Sequence, residues 1–328
     1  MFTRLAPRAT GSSGEVAEVV ALAGFLPLAI SLLARLSARH PSWTLADLAA
    51  ETRTGLLTLT AEHDSIAAAF ELSYRHMAPG QQQFFRRMGL HPGTSTDAYA
   101  AAALADVSLQ EAAGHLDALH GEGLLTETGH RRYGMHDLIR SYVRDLAATD
   151  PASSRQQALD RLLEYYQHTA VLADKLLARH ACIRPAPALQ AIPAAVPDLT
   201  GRTQALAWAR AERDTLLACL DQATAAGQHA RVVVLTAATA SLLRQDGPWT
   251  SAITRHAAAI QAARHLGDRL TQANALNDLG DVRLLTGDHR GAAEALEEAL
   301  DIYRDIGNRL GQASSLTYLG DVWQLIGD

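Results

Sequence analysis

The sequence predicts a mainly α-helical fold, and three observations support this prediction. Hydrophobic residues make up 48% of the 328 residues but aromatic residues only 5%, so alanine, the strongest helix former, supplies much of the apolar content. Apolar residues recur at helical spacing along most of the chain. The C-terminal part repeats itself every 40 residues, and periods of this length are typical of stacked helical pairs.

Charge and cysteine content narrow the function classes. The formal net charge is −6, and the basic residues are all arginines except for Lys175, so the overall field repels nucleic acids and anionic membrane surfaces. The two cysteines, Cys182 and Cys219, form no CxxC pair. This favours a reducing compartment and argues against a disulfide framework or a zinc site. The composition therefore predicts a cytoplasmic protein.

One uncharged stretch, at 19–34, allows a different interpretation. It follows Arg4 and Arg8, so a secretory signal peptide has to be considered. Glu15 and Glu18 stand where such a peptide needs positive charge, a proline interrupts the run, and the run is too short to span a membrane. A buried helix entry is therefore the favoured interpretation.

The N-terminal part predicts a helical subdomain at 15–62. Residues 1–14 show no apolar period, and we expect them to be disordered. Helix signals begin at Glu15, break, and resume at Pro27, whose fixed φ suits the first turn of a helix. Thr44, with an aspartate three residues later, has the pattern of an N-cap for a further helix.

The segment 63–150 combines helices with a short hairpin. Two runs in which apolar and polar residues partly alternate are separated by a turn that contains glycine, and this pattern predicts a β-hairpin. Helices are predicted at 65–76, 79–88, 97–105, 108–120 and 136–148, and the hairpin strands at 124–128 and 131–135. Three helices followed by a hairpin form the winged-helix pattern, which we therefore predict for this segment.

The segment 151–226 predicts a helical connector. Apolar residues at near-3.6 spacing predict a long helix over Ser153–His180, and a second helix is expected over Thr203–Ala225. Four prolines between the two helices predict a Pro-rich loop. These prolines are Pro185, Pro187, Pro193 and Pro197.

The segment 227–328 predicts helical repeats. Residues 268–288 and 308–328 are identical at 12 of 21 aligned positions. Within one unit, small residues and leucines have the spacing of the tetratricopeptide repeat, in which small side chains let two antiparallel helices approach. The positions are Leu276, Leu279, Gly280, Ala292 and Ala299. We expect the last repeat to be truncated between its two helices, because the sequence stops there.

No motif predicts an enzyme. The sequence contains no GxxxxGK[ST] loop, no GxSxG or HExxH motif, and no GxGxxG after a predicted strand. Lys175 lies in a predicted amphipathic helix with no glycine loop before it. His115 and His120 are five residues apart, which does not put them on one helix face as metal ligands. We therefore predict neither catalysis nor a metal site.

The charge of the predicted winged helix argues against DNA binding. Residues 65–150 contain seven arginines against ten acidic residues, and the helix before the hairpin carries Glu111 and Asp117 but no lysine or arginine. Binding to phosphates needs cations at that position. Arg131 and Arg132 on the hairpin are the exception, and they are otherwise interpreted as a solvated turn.

Two short motifs are candidates for a binding site. The first begins a helix with proline and offers an apolar edge to a ligand. The second begins the helix after the hairpin, where exposed amides attract anions and a histidine adds a donor. Each also has a structural interpretation, as an ordinary proline-led helix start and as a capping histidine. The candidate residues are Gly24, Leu26 and Pro27, and Met135, His136 and Asp137.

Five ordered segments carry a resemblance to a known family. They are GFLPLAI, HPSWTLADLA, AAFELSYRHM, FFRRMGLHPG and RYGMHDLIRSYV. In this order they resemble the C-terminal half of an NB-ARC domain, as found in STAND-class signalling NTPases. The resemblance is strongest to bacterial AfsR/SARP-type regulators, whose NB-ARC module is followed by tetratricopeptide repeats. It covers about 15–328.

The resemblance implies a nucleotide-sensing role. In that family the motif proline packs on the adenine side of ADP and the motif histidine approaches the β-phosphate, which would assign these roles to Pro27 and His136. Asp137 would hold the helical and winged-helix lobes in the closed state. The P-loop subdomain is absent from this sequence, so we expect ADP or ATP to bind weakly or not at all to this chain alone, without hydrolysis.

Our leading hypothesis is a partial NB-ARC–TPR regulator of transcription. Its lid and winged-helix subdomains would contribute to ADP sensing, and its repeats would bind protein partners, with self-association as a further option. Contact with nucleic acid or membrane is not expected. The alternatives are a nucleotide-independent repeat scaffold and a DNA-binding winged-helix regulator.

Overall fold

The described part of the chain is mainly α-helical. The computed structural model describes four ranges, residues 1–7, 12–56, 64–178 and 193–327. Over these ranges the chain forms sixteen helices and one three-stranded sheet, so the predicted fold class is confirmed. The chain divides into two compact units, Met1–Leu162 and Leu163–Asp328. Within the same four ranges, no helix has both the length and the apolar character that crossing a membrane requires.

The first unit begins with five helices. They are α1 (Phe2–Leu5), α2 (Ser13–Leu22), α3 (Pro27–Arg39), α4 (Leu45–Leu56) and α5 (Asp64–Arg75). A capping box between Ser12 and Glu15 starts α2, and Pro27 occupies the first turn of α3 as predicted. The uncharged stretch at 19–34 is therefore divided between two helices. The predicted end of the helical subdomain, at 57–62, lies outside the described residues.

The prediction of a disordered N-terminus is wrong for the first helix. Phe2–Leu5 form a single helical turn, and Phe2 is only 2% exposed. Helix α1 packs against α3, and burying a phenylalanine side chain contributes about 2 kcal/mol. One turn is too short to show an apolar period, so the sequence pattern could not reveal it. Residues 8–11 lie outside the described residues.

Four helices and a small sheet follow in the first unit. In chain order they are α6 (Pro79–Met88), β1 (Ser95–Thr96), α7 (Ala98–Ala105), α8 (Leu109–Gly121), β2 (Thr126–Gly129), β3 (Arg132–Gly134) and α9 (Asp137–Ala148). The sheet is antiparallel with strand order β1-β3-β2, so Tyr133 of the central strand pairs with Thr96 and with Glu127. The predicted helices and hairpin are confirmed. The sequence did not predict β1, because two residues show no alternation and form a strand only by pairing with β3.

The second unit consists of consecutive helices. The division between the units falls within α10 (Ala152–Leu177), and α11 (Arg202–Ala225), α12 (His229–Asp246), α13 (Trp249–Leu266), α14 (Arg269–Leu285), α15 (His289–Asp305) and α16 (Arg309–Ile326) follow. From α11 onward each helix packs against the next. The two helices predicted for the connector are confirmed. Residues 179–192, which include Cys182, Pro185 and Pro187, lie outside the described residues.

A glycine stands in the turn after each helix from α11 to α16. Six glycines, 20 residues apart, all have positive φ, between 63° and 89°. Glycine adopts this left-handed conformation without steric cost, which lets it end a helix sharply. They are Gly227, Gly247, Gly267, Gly287, Gly307 and Gly327. The 40-residue repeat is therefore a pair of helices, each with its own turn.

Helices α14 and α15 approach closely at Gly280. A Cβ atom added to Gly280 would lie 2.5 Å from Cγ of Leu296, which is fully buried. The counterpart one repeat later is Gly320 in α16, where an added Cβ would have no atom within 4 Å. The same repeat position is thus a packing contact in α14 and an exposed position in α16, one repeat later.

This difference predicts opposite effects of one substitution. Gly280→Ala is expected to lower the free energy of unfolding by about 1–3 kcal/mol, because Leu296 has to move. Gly320→Ala is expected to raise it by about 0.5–1 kcal/mol, because alanine loses less conformational freedom in a helix. Urea denaturation followed by circular dichroism measures both values. Effects of the same sign would contradict the packing described here.

Candidate functional site

The first candidate motif forms an exposed turn between α2 and α3. Gly24 and Phe25 have positive φ values of 60° and 59°, and Phe25 is 71% exposed. The left-handed conformation costs a residue other than glycine about 1–2 kcal/mol. Leu26 provides no side-chain cap for α3, which begins with Pro27. The turn therefore presents apolar side chains to solvent beside first-turn amides that have no side-chain acceptor.

The second candidate motif begins α9. His136 is the N-cap, and its Nδ1 accepts a hydrogen bond from the backbone N–H of Leu138 at 3.3 Å. In a neutral imidazole whose Nδ1 accepts, the proton is on Nε2, so this exposed ring retains a donor. Asp137 is the first residue of the helix, where the helix dipole favours a carboxylate. Met135 is half-buried before them.

Contacts on two sides hold α9 in the first unit. Arg140 donates to the carbonyl oxygens of Gly93 and Thr94, both at 2.7 Å, which ties α9 to the segment before β1. Tyr142 donates to a carboxylate oxygen of Glu71 in α5 at 2.7 Å. Burial and this hydrogen bond raise the pKa of Tyr142 above its ordinary value. The start of α9 therefore has a defined position relative to α5.

Two arginines of α3 connect the predicted helical subdomain to the end of α8. Arg35 donates to the carbonyl oxygen of Gly121 at 2.8 Å. Arg39 forms an ion pair with Glu122 at 2.5 Å, and the Glu122 side chain is only 7% exposed. The same carboxylate accepts a hydrogen bond from Gln81 at 2.9 Å. A buried carboxylate requires partners of this kind, so Glu122 fixes where α3 lies relative to α8.

The structure places both candidate motifs in one compact unit. Within the described part of that unit, no hydrogen bond or ion pair joins Pro27 to His136. The binding roles of the two motifs, and the lobe-holding role of Asp137, stay predictions. Arg39 and Glu122 were not predicted as contacts between the lobes, because nothing in the sequence distinguishes a buried acid at a helix end from a solvated one.

The charged side chains of the predicted DNA-facing surface mostly form hydrogen bonds and ion pairs within the protein. Arg132 donates to Oγ of Ser95 at 3.2 Å and lies 4.0 Å from a carboxylate oxygen of Asp97. On α8, Asp117 accepts a hydrogen bond from the Tyr133 hydroxyl at 2.5 Å, which raises the pKa of Tyr133 to about 12. These contacts leave Arg131 as the exposed member of the hairpin arginine pair.

Metal and thiol chemistry have no candidate in the described ranges. There, no group of three or more histidine, cysteine, aspartate or glutamate side chains could hold a metal ion. Cys219 in α11 is a free and buried thiol, and its burial raises its pKa to about 12. A thiol with so high a pKa is a poor nucleophile at neutral pH.

The architecture defines a class of protein in which a helical unit with a small antiparallel sheet precedes an array of paired helices. The tetratricopeptide repeat family matches residues 233–305, a range that begins within α12 and ends with α15. The predicted repeats are therefore confirmed over that range.

The chain is also similar to two curated proteins that are both described as Regulatory protein AfsR. It is 34% identical over 313 residues to the protein from Streptomyces griseus, and 31% identical over 314 residues to the one from Streptomyces coelicolor. Each alignment covers 92% of this chain but only 32% or 31% of the relative. The chain thus spans about a third of the relatives' length, and the predicted resemblance to AfsR-type regulators is confirmed.

One solved structure extends the comparison. It is the crystal structure of a STAND (signal transduction ATPase with numerous domains) protein with a tetratricopeptide repeat sensor, from Pyrococcus horikoshii. The match covers 97% of this chain and 57% of that chain, with 13% sequence identity and a TM-score of 0.33. A score this low does not establish a common overall arrangement.

The ion pair between Arg39 and Glu122 predicts a measurable coupling. Arg39→Met leaves the buried carboxylate with Gln81, so the free energy of unfolding is expected to fall by about 2 kcal/mol. Glu122→Gln removes the buried charge that Arg39 compensates. The double variant is therefore expected to lose about 1 kcal/mol less free energy of unfolding than the two single variants lose together. Urea denaturation of all four proteins gives the coupling. Strictly additive effects would contradict a direct pair.

A buried histidine near the α9 contacts predicts pH-dependent stability. His91 is 3% exposed, and its Nδ1 accepts from the Gly93 amide at 3.1 Å. Burial lowers its pKa to about 4, whereas an unfolded histidine titrates near about 6.5. Between these values the unfolded state binds more protons. The contribution of neutral His91 to stability is therefore lost as pH falls from 6.5 towards 4, by up to about 3 kcal/mol.

The measurement is urea denaturation at pH 7, 5.5 and 4 of the wild-type protein and of His91→Asn. Asparagine can accept the Gly93 amide but does not titrate, so the variant is expected to lose less stability on acidification. Carboxylates affect both proteins alike. Parallel pH profiles would show that His91 does not contribute.

Proposed function

We propose that this chain is part of an AfsR-type regulatory protein, in which the unit Met1–Leu162 contributes to ADP binding and the repeats bind protein partners. One observation carries the nucleotide part. An exposed apolar turn at Pro27 and an exposed capping histidine, His136, both begin helices of the same compact unit. The regulatory part is supported by the similarity to AfsR proteins over 92% of the chain.

The residues present fit the two ends of an adenine nucleotide. Phe25, Leu26 and Pro27 offer apolar surface of the kind that packs on a purine ring. At the other end, the Nε2 donor of His136 and the first amides of α9 suit a phosphate, because helix N-termini attract anions. In this proposal His136 donates to the β-phosphate, and the turn at Pro27 contacts the adenine.

This chain alone supplies only part of such a site. Its sequence contains no phosphate-binding GxxxxGK[ST] loop, and that loop provides most backbone contacts to nucleotide phosphates. We therefore propose that ADP or ATP binds weakly or not at all to the isolated chain, and that the chain does not hydrolyse ATP. A cytoplasmic location is part of the same proposal, since the buried free thiol of Cys219 suits a reducing compartment.

Partner binding is proposed for the second unit. A cavity of about 300 Å³ lies among its helices and is lined largely by polar side chains, which include Arg202, Ser241, Arg244, Asn277, Asp281 and Tyr318. The cavity lies wholly in this unit, and this observation favours the second candidate function, a scaffold that binds its partner without nucleotide. Partner affinity that does not change with ADP would support the scaffold over the switch.

DNA binding is not part of the proposal. Of the hairpin arginines, Arg132 is engaged with Ser95 and Asp97. The helix in the recognition position, α8, begins with a capping box that uses Glu111. Phosphate binding by this surface would depend on Arg131 alone, which gives little counterion release.

The nucleotide proposal is tested on a full-length relative that carries both a phosphate-binding loop and this histidine motif. Alanine at the position aligned with His136 is expected to weaken ADP binding about tenfold or more, because a hydrogen bond to a charged phosphate is lost. Isothermal titration calorimetry measures the affinity. Alanine in place of an exposed histidine outside a helix N-terminus is the control. Unchanged ADP affinity in the motif variant would refute the proposed contact.

A further inference from the structure

The cavity of the second unit is a recess between helices. The helices α10 to α14 and α16 all contribute to its lining, and every lining residue except Tyr318 comes before α15 in the chain. Its polar lining is completed by buried apolar residues, among them Ala240 and Val282. The volume of about 300 Å³ is typical of the smaller ligand pockets of proteins. Because the walls come from several helices, the recess suits a small molecule better than an extended chain.

The acidic side chains of the lining already have partners within the protein. Asp281 is buried and accepts a hydrogen bond from Nε of Arg244 at 2.5 Å. Asp278, three residues earlier on α14, also has contacts of its own. A buried carboxylate needs such partners, and here the protein supplies them. The two acids therefore do not require a positively charged ligand.

Arg202 differs from these acids, because it has no partner of opposite charge among the described residues. Its guanidinium donates to the carbonyl oxygen of Leu177 at 2.7 Å and to Oε1 of Gln245 at 3.2 Å. Both acceptors are neutral, and both residues line the cavity. A guanidinium carries five N–H donors, so these two bonds fix its position and leave further donors. Arg202 thus offers a positioned positive charge at the wall of the cavity.

The other polar groups on this side of the cavity are also mainly donors. Arg244 uses Nε for Asp281, which leaves the N–H groups of its two terminal nitrogens. The amide oxygen of Gln245 accepts from Arg202, which leaves the NH₂ group of Gln245 as a donor. A lining with more donors than acceptors suits a ligand that is rich in acceptors. A carboxylate fits best, because its two oxygens match the geometry of a guanidinium.

We propose that the cavity of the second unit binds a small organic acid whose single carboxylate group is held by Arg202 and Arg244. One negative charge is expected, because Asp281 already neutralises Arg244 and only Arg202 lacks an acidic partner among the described residues. Hydroxyl or amide groups of the ligand would bond to Ser241, and a short aliphatic part would contact Val282.

The inference goes beyond the proposed binding of protein partners. A stable protein interface buries about 800 Å² of each partner, which is more surface than a cavity of this size offers. The acid would therefore bind at a separate site within the second unit. The site contains no residue of the two candidate nucleotide motifs, Gly24–Pro27 and Met135–Asp137, and it is independent of ADP.

The test compares two small acids with their neutral amides. The first pair is N-acetyl-L-alanine and its carboxamide, and the second pair is L-lactate and L-lactamide. Saturation-transfer NMR titrations with the full chain give the dissociation constants. At least one acid is expected to bind with a dissociation constant of about 1 mM or lower, as suits a ligand of this size. Its amide is expected to bind at least about tenfold more weakly, because the charge-assisted hydrogen bonds are lost.

Two variants locate the binding site. Arg202→Gln removes the positive charge but can still donate to the carbonyl oxygen of Leu177, and it is expected to weaken binding of the acid about tenfold. Ser241→Leu places a larger side chain into the cavity and is expected to abolish binding of the acid. Circular dichroism checks that both variants are folded.

The matched control is Arg269→Gln. Arg269 is an exposed arginine at the first position of α14, as Arg202 is at the first position of α11. It pairs with Asp305 and is not part of the cavity lining. The control changes the net charge of the chain by the same amount as Arg202→Gln. It is therefore expected to bind the acid like the wild type.

Three outcomes would overturn the proposal. The first is absence of binding by both acids up to about 10 mM, and the second is equal binding by wild type and Arg202→Gln. The third is binding of N-acetyl-trialanine at least about tenfold tighter than N-acetyl-L-alanine, which would assign the cavity to the C-terminus of a protein partner. None of these titrations contains ADP, so failure here is distinct from failure of the nucleotide proposal.

Discussion

Close approach of helices through small side chains is the constraint on which this structure depends. With only 5% aromatic residues, the buried core consists mainly of leucine and alanine side chains, and the small ones allow helix backbones to approach closely. At Gly280 the absence of a Cβ lets Leu296 of the next helix fill the space. In the first unit, alanines such as Ala68, Ala100 and Ala101 are fully buried in the same way.

Polar contacts then determine how the elements of the first unit are arranged. The guanidinium of Arg39 on Glu122 joins α3 to the end of α8, and Arg140 joins α9 to the segment before β1. The first contact lies at the C-terminal end of α3, whose start carries one candidate motif, and the second lies in the first turn of α9, whose start carries the other. A nucleotide that bridged Pro27 and His136 would therefore act on helices whose positions depend on a few charged contacts. Under the proposed function, changes in those contacts would link nucleotide binding to conformation.

The second unit differs because its order is repetitive. From α11 onward each helix packs against the next, and equivalent repeat positions meet different surroundings in α14 and α16. The contrast between Leu276 and Leu316, 3% against 47% exposed, comes from position in the array and not from residue type. In such arrays each repeat contacts chiefly its neighbours, whereas the candidate motifs of the first unit depend on two specific helix starts.

The sequence by itself determined the local features of this protein: the helix start at Pro27, the hairpin, the repeat length and the two motifs. Each depends on residues a few positions apart, through caps, turns and periodicity. Only the tertiary structure decided that Phe2 is buried, that β1 pairs with β3, that Phe25 is exposed with positive φ, and that Glu122 meets Arg39. These features depend on contacts between residues distant in the chain, and burial or exposure is a property of the surroundings, which residue type and spacing do not contain.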